Sequence, residues 1–154
     1  MLFCGSNNNI RVMEALNYLP EEIYDYIYGR VAITMLKSDA CVLAPEIHNY
    51  EKIIILSPWI FPYKPIVGDK EYRKYNYFIY CILHEVAHII LKHKSPPNCS
   101  AQENAKQEDD ANNLALQWFN SYVSESKKIG MLPISIEEIT VQQELNQRIL
   151  QCWD

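Results

Sequence analysis

Tyr77-Phe78-Ile79-Tyr80-Cys81-Ile82-Leu83-His84-Glu85-Val86-Ala87-His88-Ile89-Ile90 decides how this chain is read. Apolar residues at 79, 82, 83, 86 and 90 recur at the three- and four-residue spacing of a buried helical stripe. His84 and His88 lie off that stripe. Four residues apart, they project from nearly the same face of a helix and can converge on one ion, while Glu85 sits one step round and can reach a water on the ion's open side. Chance places His-Glu-x-x-His in roughly one such sequence per hundred, and the plain alternative is a core helix whose histidines form hydrogen bonds at its edge.

A catalytic zinc takes three protein ligands and leaves a fourth position for water. The arrangement in which a glycine and a third histidine follow directly is excluded, because position 91 is Leu and position 94 is Lys. On a continuous helix His93 is rotated about 140° from His88, so it is expected to face solvent near the helix C-terminus, where a cation suits the dipole. The third ligand is sought instead in Gln107-Glu108-Asp109-Asp110-Ala111-Asn112-Asn113-Leu114-Ala115-Leu116-Gln117-Trp118-Phe119. Ala111, Leu114, Ala115 and Trp118 make a helical stripe whose small residues allow close packing on the motif helix. Glu108 precedes Ala111 by three and sits on that stripe's edge, so it can complete a His-His-Glu site. The plain alternative for Glu108, Asp109 and Asp110 is a solvated acidic first turn favoured by the helix dipole, expected for at least two of the three carboxylates.

His84-Glu85-x-x-His88 followed by Glu108-x-x-Ala111-Asn112-x-x-Ala115 resembles the ImmA/IrrE group of zinc metallopeptidases, a subset of the gluzincins. The resemblance spans roughly positions 20 to 120 and places Glu108 as third zinc ligand. It also matches Asn112 to a family position from which the side chain can steady a ligand histidine. Leu114 stands where the family often has Phe, and Gln117-Trp118-Phe119-Asn120 replaces a frequent Leu-Leu-Met-Pro run, which marks a divergent branch. The resemblance implies a peptidase acting on a regulatory protein such as a transcriptional repressor.

With 154 residues, 49% of them hydrophobic and 21% charged, the chain suits one domain with a real core. That core is expected over about 20–123, with a C-terminal helical extension over about 133–152. No apolar run reaches a membrane span, and Met1-Leu2-Phe3-Cys4-Gly5-Ser6 lacks a signal-peptide pattern, so a cytoplasmic location is expected. A net charge of −5 without a basic stripe disfavours direct nucleic-acid binding, and no length is spare for a helix-turn-helix domain. Five cysteines at 4, 41, 81, 99 and 152 have no paired spacing and read as reduced thiols. Cys81, three residues before His84, either borders the metal cleft or is a buried apolar thiol, the plainer reading.

The fold class is α+β, with a small three-stranded sheet packed on the motif helix and on the second ligand-bearing helix. Pro20-Glu21-Glu22 opens a helix carrying Ile23, Tyr24, Ile27 and Tyr28 until Gly29 ends it. Residues 31–36, 40–44 and 52–56 read as strands, of which 40–44 or 52–56 is expected to border the cleft and hold an extended substrate. Pro58-Trp59-Ile60-Phe61-Pro62-Tyr63-Lys64-Pro65 reads as a rigid loop, with Trp59 and Phe61 capping the core in preference to walling the cleft. His48 reads as a surface residue. Ser135 and Glu138 form a capping box for a last helix carrying Val141, Leu145, Ile149 and Leu150.

These features point to a zinc-dependent endopeptidase with Zn2+ on His84, His88 and Glu108 and with Glu85 as general base. The oxyanion donor is not identified among Tyr72, Tyr75, Tyr77 and Tyr80. The alternative is a non-catalytic, metal-bearing module that binds and regulates a protein partner; a retained Glu85 argues against it.

Overall fold

The computed structural model describes residues 2–35, 49–62, 69–126 and 132–151. In chain order they form β1 (Leu2–Phe3), α1 (Ser6–Leu16), α2 (Glu21–Ile27), β2 (Val31–Met35), β3 (Lys52–Leu56), α3 (Asp69–Ile90), α4 (Ala101–Ser126) and α5 (Ile136–Gln151). The expected α+β class holds, with a three-stranded sheet against the motif helix. The sheet is parallel throughout, in the order β1-β2-β3, with Ile33 opposite both Leu2 and Ile54. Its third strand is thus Leu2–Phe3. The expected strand over 40–44, and His48, lie outside the described residues.

Parallel pairing of β1 with β2 requires a crossover, supplied by α1 and α2. Helix α1 has no counterpart among the elements read from the sequence, and its opening Ser6-Asn7-Asn8-Asn9 has the composition of a turn. Its asparagines instead satisfy the backbone of the segment that precedes them. Asn9 Oδ1 accepts from the Cys4 amide at 2.8 Å, and Asn8 Nδ2 donates to the Cys4 carbonyl at 3.2 Å. Val12, Ala15 and Leu16 then enter the core, which therefore begins well before residue 20. Helix α2 starts after Pro20 as expected and ends before Gly29, which adopts a φ of 79° that an L side chain rarely takes.

The core centres on α3. Phe78, Ile79, Ile82, Leu83, Val86 and Ala87 have no exposed surface, so the apolar stripe seals one side of the helix and turns His84 and His88 to its margin. Helix α4 packs along it through Ala111 and Ala115, both fully buried. Phe61 is buried against Phe78, with ring centroids 4.9 Å apart, whereas Trp59, in a single 3-10 turn at Pro58–Ile60, is 49% exposed. Phe61 therefore caps the core and Trp59 does not.

The capping box forms as read: the Ser135 amide donates to Glu138 Oε2 at 3.0 Å, and the Glu138 amide donates to Ser135 Oγ at 3.4 Å. Asn120 fixes the approach to α5 through two hydrogen bonds with the Ile134 backbone, at 2.9 and 3.0 Å. Ile134 and Ile139 are buried, anchoring the start of α5 in the core, whereas Val141 and Leu145 are about half exposed.

Helix α3 closes with a Schellman turn. The His93 amide donates to the His88 carbonyl at 3.1 Å and the Lys92 amide to the Ile89 carbonyl at 3.2 Å, with Lys92 at φ 56° in the left-handed position that glycine normally fills. An L residue there costs roughly 1 kcal/mol. Lys92→Gly is accordingly expected to raise the midpoint of thermal unfolding by about 2–4 °C, measured by circular dichroism of the metal-free chain; an unchanged or lower midpoint would contradict it.

Candidate metal centre

His84 and His88 stand one helical turn apart on α3, with their Nε2 atoms 3.0 Å apart. Glu108, in the second turn of α4, brings Oε2 to 3.3 Å from His84 Nε2 and Oε1 to 3.7 Å from His88 Nε2. The three residues form a cluster that could hold a metal ion. Its placement follows from the packing already described: Ala111 and Ala115 let α4 approach α3, and Glu108, one turn earlier on the same face, reaches over the imidazoles. Asp109 and Asp110 are exposed, so two of the three neighbouring carboxylates are solvated, the least that was expected.

Both imidazoles have pKa values below the usual histidine range. For His84 desolvation is the main cause, followed by the neighbouring His88, with Glu108 opposing. For His88 desolvation again dominates and His93 adds to it, while Glu108 opposes. Near neutral pH the two rings are therefore uncharged, the form that offers a lone pair to a metal. Glu85 is exposed at the cleft, yet local desolvation and then the negative charge of Glu108 raise its pKa above the ordinary glutamate value. An elevated carboxyl of this kind binds a proton more readily, the property asked of a general base.

Asn112 comes close enough to His84 to favour its protonated form by hydrogen bonding, and its Oδ1 accepts a hydrogen bond from the Tyr80 hydroxyl. His84 Nδ1 is itself buried with no partner at good hydrogen-bond geometry. His88 is held differently. His93 does not face solvent: its Nδ1 lies 2.8 Å from His88 Nδ1, and the residue is partly buried. The expected rotation of 140° assumed a helix continuing through position 93, whereas α3 ends at Ile90 and the left-handed Lys92 turns the chain back.

Cys81 does not line the cleft; desolvation pushes its thiol up to about 12, so it remains protonated. Nor do the four tyrosines of α3 line it. Tyr75 donates to Glu14 at 3.1 Å, Tyr80 is engaged with Asn112, and Tyr72 and Tyr77 line a separate cavity near the start of α5. The cleft, about 740 Å³, is bounded on the metal side by His84, Glu85, His88 and Glu108 and on the sheet side by Lys52, Ile53 and Ile54 of β3. Tyr26 and Arg30, with the guanidinium carbon 4.9 Å from the tyrosine ring centroid, also line it. Sequence reasoning missed both, since a tyrosine on a short helix and an arginine after its closing glycine have no local signature of a cleft.

No family model, curated protein or solved structure matches this chain. No helix among the described residues is long and apolar enough to cross a membrane.

Proposed function

We propose that the chain is a zinc-dependent endopeptidase, with zinc held by His84, His88 and Glu108. One observation carries this reading. A tetrahedral ion bonded at about 2.0–2.1 Å requires ligand atoms about 3.3 Å apart, and the measured separations of 3.0, 3.3 and 3.7 Å straddle that value. Three neutral or anionic donors of this kind suit zinc, and the cleft supplies space for the fourth position.

A bound zinc supplies Lewis acidity, making water acidic near neutral pH and polarising a carbonyl. The protein's own residues do the rest. Glu85 accepts the proton of the attacking water and returns it to the leaving amine, a shuttle favoured by its raised pKa. Strand β3 has a single neighbour, β2, among the described residues, and its Lys52–Ile54 stretch lines the cleft. An extended peptide adding to its free edge would be held by main-chain hydrogen bonds beside Glu85. Tyr26 and Arg30 supply hydroxyl and cationic donors suited to a developing oxyanion.

The motif resemblance to the ImmA/IrrE group, His84-Glu85-x-x-His88 with Glu108-x-x-Ala111-Asn112, supports a regulatory protein such as a transcriptional repressor as substrate. The test is elemental analysis of the purified chain together with mass spectrometry of a peptide library incubated with it. One zinc per chain and discrete cleavage products that a chelator abolishes are expected. A metal-free chain, or one that holds zinc and leaves every peptide intact while binding a partner stoichiometrically, would overturn the peptidase reading in favour of a regulatory binding module.

A further inference from the structure

His88 presents its two ring nitrogens to different partners: Nε2 faces His84 and Glu108, and Nδ1 faces His93 Nδ1 at 2.8 Å. A neutral imidazole that offers Nε2 as a lone-pair donor must carry its hydrogen on Nδ1. That hydrogen needs an acceptor, and the acceptor in place is His93. We propose that His93 is a positioning residue whose Nδ1 accepts the Nδ1–H of His88, fixing the tautomer and ring orientation in which His88 Nε2 joins the metal centre. This inference rests on the zinc reading above.

The backbone around His93 is built to hold it there. The Schellman turn ties the His93 amide to the carbonyl of His88 itself, so ring and main chain of the two residues are coupled. One residue on, Gln107 of α4 grips Lys94 from both sides, its Oε1 accepting from the Lys94 amide at 2.7 Å and its Nε2 donating to the Lys94 carbonyl at 3.2 Å. Gln107 is the immediate neighbour of Glu108. The segment carrying the acceptor is thus anchored to both helices that carry the ligands. The rings of His88 and His93 meet edge-on at 74°, with centroids 4.9 Å apart, an orientation set by an in-plane nitrogen contact and not by stacking. His93 is not a fourth ligand in this arrangement, because the nitrogen nearest the site is the one directed at His88.

Outer partners of a ligand histidine typically affect metal affinity about 10- to 100-fold. The test compares zinc affinity, by competition with a chromophoric chelator, in the unaltered chain, His93→Asn and His93→Leu, alongside thermal unfolding of each metal-free form. Asparagine and leucine are nearly isosteric, but only asparagine keeps an acceptor oxygen near the place of Nδ1. His93→Leu is expected to lose about 10- to 100-fold in affinity with metal-free stability retained, and His93→Asn to recover most of that loss. Equal affinity in the leucine variant, or equal losses in both, would overturn the role of His93 while leaving the metal centre intact. Absence of zinc binding in the unaltered chain would overturn both. Should His93→Leu fail to fold, His93→Ala takes its place in the same comparison.

Discussion

Glu85→Gln should bind zinc with undiminished stoichiometry and cleave substrate about 10²- to 10⁴-fold more slowly, the range that a positioned general base contributes. The side chain lies on the same helix as both histidines but is not among the metal-binding cluster, so the amide leaves all three ligands in place. It also removes a carboxylate whose proton affinity is raised by desolvation and by Glu108. A neutral amide cannot accept the proton from water, and the rate therefore falls in turnover more than in substrate affinity. Single-turnover kinetics on the zinc-loaded chain provide the measurement. Unchanged turnover would remove Glu85 from the mechanism; loss of zinc together with activity would make its role structural.

Glu108→Ala should act on a different quantity. It leaves two imidazoles for an ion that takes three protein ligands, so zinc affinity should fall by more than the roughly 100-fold associated with an outer partner. The side chain is 46% exposed and its contacts are with the two partly buried imidazoles, so metal-free stability should move by no more than about 1 kcal/mol. The contrast is visible in calorimetry. Zinc at a hundredfold excess over its dissociation constant stabilises a folded chain by about 2.7 kcal/mol, and that increment should vanish in the variant while the metal-free transition stays put. Retention of the zinc-dependent shift would mean that another group supplies the third ligand, and the placement of α4 over α3 would lose its functional meaning.

What could be read from the chain and what could not separate along a physical line. The face of α3 was legible because the apolar spacing from Ile79 to Val86 is local and strongly periodic, and Glu108 was legible because it keeps step with Ala111 and Ala115 on one helix. The capping box at Ser135 and Glu138 is likewise a matter of neighbours. The two-residue strand Leu2–Phe3 has no such signature: it exists because β2 offers an edge, and the asparagines after it serve tertiary contacts that outweigh their turn preference. His93 was misplaced for a comparable reason. Without glycine at position 92 nothing local announces a left-handed residue, and one such residue converts a solvent-facing side chain into a partner of His88. Tyr26 and Arg30 reach the cleft only through the path of the chain into β2.

The three side chains that could hold a metal ion fall between His84 and Glu108, on two helices joined by the clamped segment at Lys94. The entropy of closing so short a loop is small, and it grows only slowly with length. The three-residue cluster can therefore assemble early and locally, whereas the sheet depends on bringing Leu2 and Phe3 to Ile33 and Thr34, about thirty residues away. The hairpin from His84 to Glu108 and the sheet are in this sense separate cooperative parts: the sheet can loosen or re-form while the three donor side chains stay together.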